Sequence, residues 1–554
     1  MSQPQVANLG IFKIPEIRNE PMKTYSPHSE ERAKLQAALK ELRKKAPIEI
    51  PILVNGEEIR TGKIEEQRIP SDHATVLAKY HAADHATIDK AIKGALTAKV
   101  NWEALPFNDR ATIFLKAADL LSVKYRYKLL AATMLGQGKN AWQAEIDAAA
   151  ELIDFWRFNA KYAQEIYQQQ PPINSPGVWN RVEYRPLEGF VYAIAPFNFT
   201  AIGGNLPSAP ALMGNVVLLK PSPSAVLSNW IVLEILREAG LPDGVIQFVP
   251  GPAEDITEQI LKSPDFASLH FTGSTHVFKK LWRDIGNNIE IYKSYPRIVG
   301  ETGGKNFHVI HESANIENAV LQTIRGAFEY AGQKCSATSR VYVADSVWDK
   351  FRTTLLTEHA KIKIGPVEDF KNFYGPVIHK ASFEKIKRYI EWAKDDASSE
   401  IIAGGIYDDS KGYFVHPTII VTSDPNSKTI AEEIFGQVHL PVLTIYVYKS
   451  EDYEKTLDLV NKTSEYALTG ALFAQDRYAI LLGHNKLRNA SGNFYLNEKS
   501  TGAMVGQQPF GGARASGTND KAGSATLLYR FISMRTIKEN FINIEDFSYP
   551  SNLE

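Results

Sequence analysis

The chain has little cysteine and no excess of charge. Cys335 is the single cysteine in 554 residues, so an internal disulfide is excluded and the fold must rest on its hydrophobic core. Such sparing use of cysteine suits a reducing compartment. Lys and Arg number 62 against 63 Asp and Glu, a net charge of −1. This balance argues against a general polyanion-binding surface, and we expect no nucleic-acid partner.

Long apolar runs are also scarce. Residues 189–219 carry no charge, but Pro196, Pro207 and Pro210 interrupt them, as do several glycines. A membrane-spanning helix needs about 20 predominantly apolar residues, so we expect a buried strand–loop–helix here and no membrane span. The first residues show neither a basic segment followed by an apolar one nor an arginine-rich stretch, and we expect no secretory or organelle-targeting segment.

The length exceeds that of a single hydrophobic core, so two or more domains are expected. Leu and Ala recur at helical spacing in four N-terminal segments, residues 30–45, 87–100, 109–135 and 139–167. From residue 189 the pattern changes to short apolar runs at 190–195, 215–219, 244–249 and 268–271, separated by helical segments such as 225–239. Strands alternating with helices predict a parallel sheet of nucleotide-binding type. A second α/β set follows from about residue 305, and residues 168–181 read as an exposed connector.

Two segments in the parallel unit suggest a dinucleotide site, although Gly-x-Gly-x-x-Gly and the phosphate-loop motif are both missing. Residues 271–275, Phe-Thr-Gly-Ser-Thr, end a strand and open a helix, where free N–H groups and the helix dipole favour phosphate. The same turn is also an ordinary helix cap. Lys220 and Ser222 follow another strand at the edge where open α/β sheets bind ligands. Together they favour a dinucleotide site over a surface lysine and a plain turn.

A lone cysteine is more often a small buried hydrophobe than a nucleophile, but the flanks of Cys335 strengthen the case for a nucleophile. Lys334 is adjacent, and a neighbouring cation favours the thiolate. Three remote segments complete the pattern: Asn198 in Pro-Phe-Asn-Phe, Glu301 in Gly-Glu-Thr-Gly-Gly-Lys, and Glu433 in Glu-Glu-Ile-Phe-Gly. Each alone has an ordinary structural explanation, but together they indicate an enzyme.

These segments resemble the aldehyde dehydrogenase superfamily from about residue 20 to 540. Three longer stretches look like its L-glutamate γ-semialdehyde dehydrogenases: residues 144–155, 196–206 and 506–520. The resemblance implies an α/β fold with a Rossmann-type cofactor domain, an α/β catalytic domain and a small β oligomerisation element. The implied bounds are 1–167 and 190–298 for the NAD-binding domain with its N-terminal helices, 299–516 for the catalytic domain, and 168–189 with 517–554 for the oligomerisation element.

The same resemblance implies NAD-dependent oxidation of L-glutamate γ-semialdehyde, formed from 1-pyrroline-5-carboxylate, to L-glutamate, the second step of proline degradation. Cys335 would be the nucleophile, Glu301 the general base and Asn198 an oxyanion donor beside the Cys335 backbone N–H. The NAD-binding positions it implies are Lys220, Ser222, Gly273, Ser274, Thr275, His276, Val277, Glu433 and Phe435. The substrate-binding positions it implies are Glu151, Phe199, Lys334, Ser336, Gly502, Ala503 and Phe510. A homodimer or higher homo-oligomer, no metal, and a mitochondrial matrix location (alternatively the cytoplasm) complete the expectation.

Two positions depart from the family pattern. Pro223 stands where many relatives carry an acidic residue beside the adenine ribose, which loosens the expected preference for NAD over NADP. Gln437 stands where proline is usual. Three other interpretations compete with this one. Acyl transfer to coenzyme A is disfavoured by Glu301, and a non-catalytic scaffold is disfavoured by the intact catalytic residues. A cysteine hydrolase is disfavoured because the sequence shows no evident histidine partner for the cysteine.

Overall fold

The structure is a computed structural model that describes residues 10–432 and 441–553. Its strands are, in chain order, β1 Ile48–Ile50, β2 Ile52–Val54, β3 Glu57–Ile59, β4 Ile64–Ile69, β5 Asp72–His81, β6 Val178–Pro186, β7 Phe190–Ile194, β8 Val217–Lys220, β9 Ile246–Phe248, β10 Phe266–Thr272, β11 Arg297–Glu301, β12 Asn306–Ile310, β13 Thr338–Ala344, β14 Ser399–Ala403, β15 Tyr407–Asp408, β16 Phe414–Val415, β17 Thr418–Thr422, β18 Val442–Tyr448, β19 Tyr466–Ala467, β20 Thr469–Phe473, β21 Asn493–Leu496, β22 Ala513–Arg514 and β23 Ile532–Asn540.

The helices alternate with these strands through most of the chain. They are α1 Glu30–Lys45, α2 His85–Ala104, α3 Phe107–Leu120, α4 Arg126–Gln137, α5 Ala141–Ala144, α6 Glu151–Tyr167, α7 Thr200–Leu212, α8 Val226–Ala239, α9 Ala253–Leu261, α10 Thr275–Asn287, α11 Ile316–Phe328, α12 Asp345–His359, α13 Lys380–Asp395, α14 Lys428–Ala431, α15 Tyr453–Lys462, α16 Arg477–Lys486 and α17 Ala525–Tyr529.

The predicted elements are largely confirmed. The segment 30–45 is α1, and the Ser29 side chain accepts a hydrogen bond from the Arg32 N–H as its N-cap. The predicted helix 109–135 is α3 and α4 joined by the wide π-helical turn Leu121–Tyr125. A second such turn, Glu145–Ala150, joins α5 to α6 in the predicted helix 139–167.

The first large sheet has the strand order β11-β10-β7-β8-β9-β2-β3. Its strands β11 to β9 run parallel, and helices cover both faces, which explains why β7 and β8 read as continuous apolar runs. The register sets Ile194 beside Lys220 and Thr272 beside Glu301. The carboxyl ends of β7, β8, β10 and β11 therefore meet at one edge, where doubly wound sheets bind ligands.

The second large sheet has the order β14-β17-β18-β13-β12-β20-β21. Cys335 lies just before β13, in the segment that leads from α11 into the sheet. The Asn306 side chain fixes this segment, because its Nδ2 donates to the carbonyl oxygens of Cys335 and Ala337, both at 2.8 Å. The largest apolar cluster surrounds the first sheet, and two further clusters pack against the second sheet.

A two-stranded antiparallel ribbon completes the architecture. Strand β6 pairs with β23 over nine residues, from Val178 opposite Asn540 to Pro186 opposite Ile532. The expected domain boundary between residues 298 and 299 falls inside β11, which completes the first sheet. The domain division otherwise stays a prediction.

The uncharged run 189–219 is not a membrane segment. It folds as β7, α7 and β8, with Pro207 and Pro210 inside α7. Across residues 10–432 and 441–553, no helix is long and apolar enough to cross a membrane.

Candidate active site

Cys335 is shared by two cavities. One opens at the carboxyl edge of the first sheet, and its lining includes Asn198, Lys220 and Ser274. The other, of about 270 Å³, lies between α6 and the loop that follows β21. A thiol in the wall of both cavities is accessible to two different bound molecules at once.

The backbone before Cys335 makes an unusual turn. Tyr330, Ala331 and Gly332 have φ values of 55°, 53° and 66°, all in the left-handed region. For the two non-glycine residues this costs of order 1–3 kcal/mol each, and such strain persists only where the surroundings enforce it. The Tyr330 hydroxyl donates to the Gln137 carbonyl oxygen at 2.7 Å, which holds the turn against the end of α4.

Asn198 is fixed against the same turn. Its Nδ2 donates to the Gln333 carbonyl oxygen at 3.1 Å. The Gln333 side chain is itself held, since the Ile378 N–H donates to its Oε1 at 2.8 Å. A carboxamide has two N–H protons, so one remains on Asn198 for a ligand oxygen in the cavity it shares with Cys335.

The thiol is held neutral when the cavities contain only protein groups. Burial raises the pKa of Cys335 to about 12, and the negative charge of Glu301 adds to this rise. The prediction that Lys334 favours the thiolate is wrong. Its ammonium lies 3.4 Å from a Glu329 carboxylate oxygen and 3.9 Å from an Asp147 carboxylate oxygen, which neutralise its charge.

Glu301 ends strand β11. The Gly512 N–H donates to its Oε2 at 3.2 Å. Burial raises the pKa of Glu301 well above its ordinary value, while the Gly512 bond and the Lys521 cation oppose the rise and Asp520 adds to it. An enclosed carboxyl of raised pKa is suited to exchanging protons near neutral pH.

The cavity at the sheet edge is lined by groups that suit a dinucleotide. Lys220 is buried, and within the part of the chain that the structure describes its Nζ makes a single weak hydrogen bond, to the Pro221 carbonyl oxygen at 3.3 Å. Burial lowers the pKa of its ammonium to about 8. Ser274 caps α10 by accepting from the Val277 N–H at 3.3 Å, so the positive end of that helix faces the cavity. A buried cation and a helix N-terminus fit ribose hydroxyls and phosphates.

Most predicted cofactor positions that the structure describes line this cavity. Those that do are Lys220, Ser222, Gly273, Ser274 and Val277, with Pro223 beside them. Thr275 is buried without lining it, and His276 is exposed on the first turn of α10. Glu433, Phe435 and Gln437 lie outside the described residues. The cofactor role of each of these positions stays a prediction.

All seven predicted substrate positions line the second cavity. They are Glu151, Phe199, Lys334, Ser336, Gly502, Ala503 and Phe510. The buried Oε2 of Glu151 has no hydrogen-bond partner among the described residues. Burial raises the pKa of Glu151 to about 8, and the Asp147 charge adds to the rise. An unpaired carboxyl facing a cavity favours a cationic ligand group.

The sequence analysis missed the charged residues behind this cavity. Asp147, which also lines it, forms an ion pair with the fully buried Lys139. The Lys139 ammonium also lies over the rings of Phe199, at 4.2 Å, and Tyr330, at 4.4 Å. Asp147 stands four residues before Glu151, so helical spacing was a signal for it. Lys139 had no such signal.

The fold, together with a single thiol in the walls of both a dinucleotide-type cavity and a charged cavity, identifies the class of protein. The chain belongs to the aldehyde dehydrogenase family, whose sequence model matches residues 60–537.

Individual relatives are similar over nearly their whole length. The delta-1-pyrroline-5-carboxylate dehydrogenase of Agaricus bisporus is 61% identical over 548 residues, 99% of each chain. The mitochondrial delta-1-pyrroline-5-carboxylate dehydrogenase of Homo sapiens is 51% identical over 534 residues, covering 96% of this chain and 94% of the human one. A crystal structure of the Mycobacterium tuberculosis delta-pyrroline-5-carboxylate dehydrogenase bound with NAD matches with a TM-score of 0.94 at 48% identity, over 98% of this chain and 100% of that one.

Proposed function

We propose that this protein oxidises L-glutamate γ-semialdehyde, the open form of 1-pyrroline-5-carboxylate, to L-glutamate with NAD⁺. The proposal rests mainly on the position of Cys335, which lies in the walls of both cavities. One cavity has a buried cation and a helix N-terminus that suit a dinucleotide, and the other has the unpaired carboxyl of Glu151. The names of the similar proteins support the same substrate.

Cys335 acts first, as the nucleophile. A simple aldehyde cannot expel hydride, but addition of Sγ to its carbon forms a C–S bond and leaves a negatively charged oxygen, from which hydride loss is feasible. The Asn198 amide and the Cys335 backbone N–H stabilise that oxygen, and losing one such donor typically costs about 10²–10³ in rate. Because burial holds the thiol neutral, its proton must leave on attack, and solvent water receives it.

Hydride loss leaves a thioester on Cys335. When bound, NAD⁺ supplies the hydride acceptor; Lys220, Ser222 and the first turn of α10 would hold its ribose and phosphates. Glu301 then takes a proton from water, whose oxygen attacks the thioester carbon. The C–S bond breaks, the acid is released, and Glu301 returns the proton to the Cys335 sulfur.

Substrate choice follows from charge. Glutamate semialdehyde carries an ammonium and a carboxylate that an apolar pocket would reject. Glu151 offers the unpaired carboxyl for the ammonium, and the backbone of Gly502 and Ala503 would bind the carboxylate. Phe199 and Phe510 would pack on the aliphatic stem between these ends.

Steady-state kinetics test the proposal directly. Purified protein should reduce NAD⁺ with 1-pyrroline-5-carboxylate at a kcat/KM far above that for pentanal, an uncharged aldehyde of matched length. Comparable or higher values for pentanal would contradict the substrate assignment. NADP⁺ in parallel measures what Pro223, in the cofactor cavity, does to coenzyme choice.

We further propose that the protein forms a homodimer or higher homo-oligomer through the β6–β23 ribbon and works in the mitochondrial matrix. The exposed apolar side chains of the ribbon support the assembly. The name of the human relative supports the compartment, with the cytoplasm as the alternative.

A further inference from the structure

The segment before α1 forms part of the substrate cavity. Its residues Glu20 and Met22 line that cavity together with Glu151 and Gly502. The segment precedes residues 60–537, the region that the family's sequence model matches.

Asn19 makes three hydrogen bonds that join two sides of the cavity. Its Nδ2 donates to a carboxylate oxygen of Asp154, on α6, and to the Val505 carbonyl oxygen, both at 2.7 Å. Its Oδ1 accepts from Gln507 Nε2 at 3.0 Å. Both N–H protons of the Asn19 side-chain amide are therefore in hydrogen bonds, one to α6 and the other to the loop that contains Val505.

The α6 side of this bridge is rigid. The Glu20 N–H donates to the second oxygen of Asp154 at 2.7 Å. The Glu20 carboxylate accepts from Arg126 at 2.7 Å and from Arg157 at 2.8 Å. Glu151, which begins α6, is less than one helical turn from Asp154.

The loop side has few other attachments. Gly502 and Met504 are exposed, and Gly502 has a left-handed φ of 96°. Among the residues that the structure describes, the bond from Asn19 to Val505 is the one hydrogen bond that links residues 502–505 to any residue outside 500–508. The position of this loop relative to Glu151 is therefore set by the Asn19 bond together with the packing of the buried Val505 side chain in the core.

We propose that Asn19 is a positioning residue for substrate recognition: it holds the loop 502–505 at a fixed distance from Glu151, matched to a substrate charged at its far end. The inference rests on the proposed function, because it takes Gly502 and Ala503 as the carboxylate site. Asn19 lines neither cavity and so does not contact the substrate. It acts through the position of the loop, and that position determines how tightly the charged substrate binds.

The test compares Asn19→Ala with Arg18→Ala. Arg18 is the neighbouring residue, with an exposed side chain whose one ion-pair partner among the described residues is Glu16. For Asn19→Ala we expect KM for 1-pyrroline-5-carboxylate to rise about tenfold, with kcat within twofold of wild type and with KM for NAD⁺ and kcat/KM for pentanal unchanged. Asn19→Asp should match or exceed this loss, because it removes both donors and places a carboxylate against Asp154. Arg18→Ala should behave as wild type.

Several outcomes would overturn the inference. An unchanged KM in both Asn19 variants, an equal loss for 1-pyrroline-5-carboxylate and pentanal, or the same loss in Arg18→Ala would each show that Asn19 is only a structural tie. A wild-type enzyme that does not prefer 1-pyrroline-5-carboxylate over pentanal would refute the proposed function itself. The kinetics of the wild-type enzyme therefore distinguish a failure of the proposed function from a failure of the Asn19 inference.

Discussion

At the residue scale, the site keeps its reactive groups neutral by enclosing them. Burial is the largest cause of the raised pKa at Cys335, Glu301 and Glu151 alike. Charged forms are costly there until a ligand supplies the opposite charge or takes a proton. The protein gives up stability at these positions in order to hold groups that react with or bind substrate.

Replacing Glu301 by Gln separates the two halves of the reaction. The thioester should form but hydrolyse slowly, so the variant should release NADH in a burst of up to one equivalent per site, followed by steady turnover reduced about 10²–10⁴-fold. Stopped-flow absorbance at 340 nm measures both phases. Cys335→Ala, which cannot form the thioester, should show no burst. Rapid steady turnover by Glu301→Gln would remove Glu301 from its assigned role.

Replacing Glu151 by Gln should stabilise the fold at high pH. The folded-state pKa of Glu151, about 8, lies above its ordinary 4.5, so its charged form opposes folding increasingly as pH rises between these values, and the neutral form costs nothing below them. We expect the free energy of unfolding of the variant to exceed that of wild type by about 5 kcal/mol at pH 9, and to differ little from it at pH 4.5. Urea unfolding at the two pH values measures this, and Glu165→Gln, at an exposed position of α6, is the control. A pH-independent difference would contradict the account.

At the scale of elements, the left-handed turn 330–332 sets the position of the thiol and the oxyanion donor together. Tyr330→Phe removes the bond to the Gln137 carbonyl, worth about 1 kcal/mol. We expect kcat to fall about 5–10-fold while KM for NAD⁺ stays unchanged, because the turn is loosened without loss of any group that contacts the cofactor. Tyr342→Phe, a buried hydroxyl change in β13, is the matched control. Equal losses in both variants would mean that only general packing is affected.

The sequence predicted the regular elements well and the strained ones poorly. Helix α1 and the strands of the parallel sheet follow from apolar spacing and capping residues such as Ser29, which are local properties. The left-handed Tyr330 and Ala331 carry no local signal, because non-glycine residues take that conformation only when distant contacts enforce it. The pairing of Lys334 with Asp147 and Glu329 is equally nonlocal, and the sequence neighbour of a thiol was a poor guide to its electrostatic surroundings.

At the scale of the whole molecule, two sheets supply one site. Strand ends of the first sheet carry the Asn198, Lys220 and Glu301 side chains, whereas the segment entering the second sheet carries Cys335. The chain crosses between the sheets after Glu301, so relative movement of the two sheets would separate base from nucleophile. Segments that return to the first unit, such as Gly512 and Gly517 bound to the end of β11, tie the two sheets together.

The β6–β23 ribbon is predicted to be the interface of a homo-oligomer, because it exposes apolar side chains that contact with a second chain would bury. Met534 on β23 is 60% exposed, and Phe541 just beyond it is 62% exposed. Exposed apolar side chains are concentrated on this ribbon and just beyond it, and such a concentration marks an interface, at Trp179, Met534, Phe541, Ile542 and Ile544. A ribbon edge also offers backbone groups for pairing. Met534→Glu combined with Phe541→Glu should therefore lower the mass measured by light scattering to that of a single chain. Val123→Glu, at a still more exposed apolar position in the turn between α3 and α4, should leave the mass unchanged. A wild-type protein that is monomeric at micromolar concentration, or a double variant that keeps its assembled mass, would rule out the ribbon as the interface.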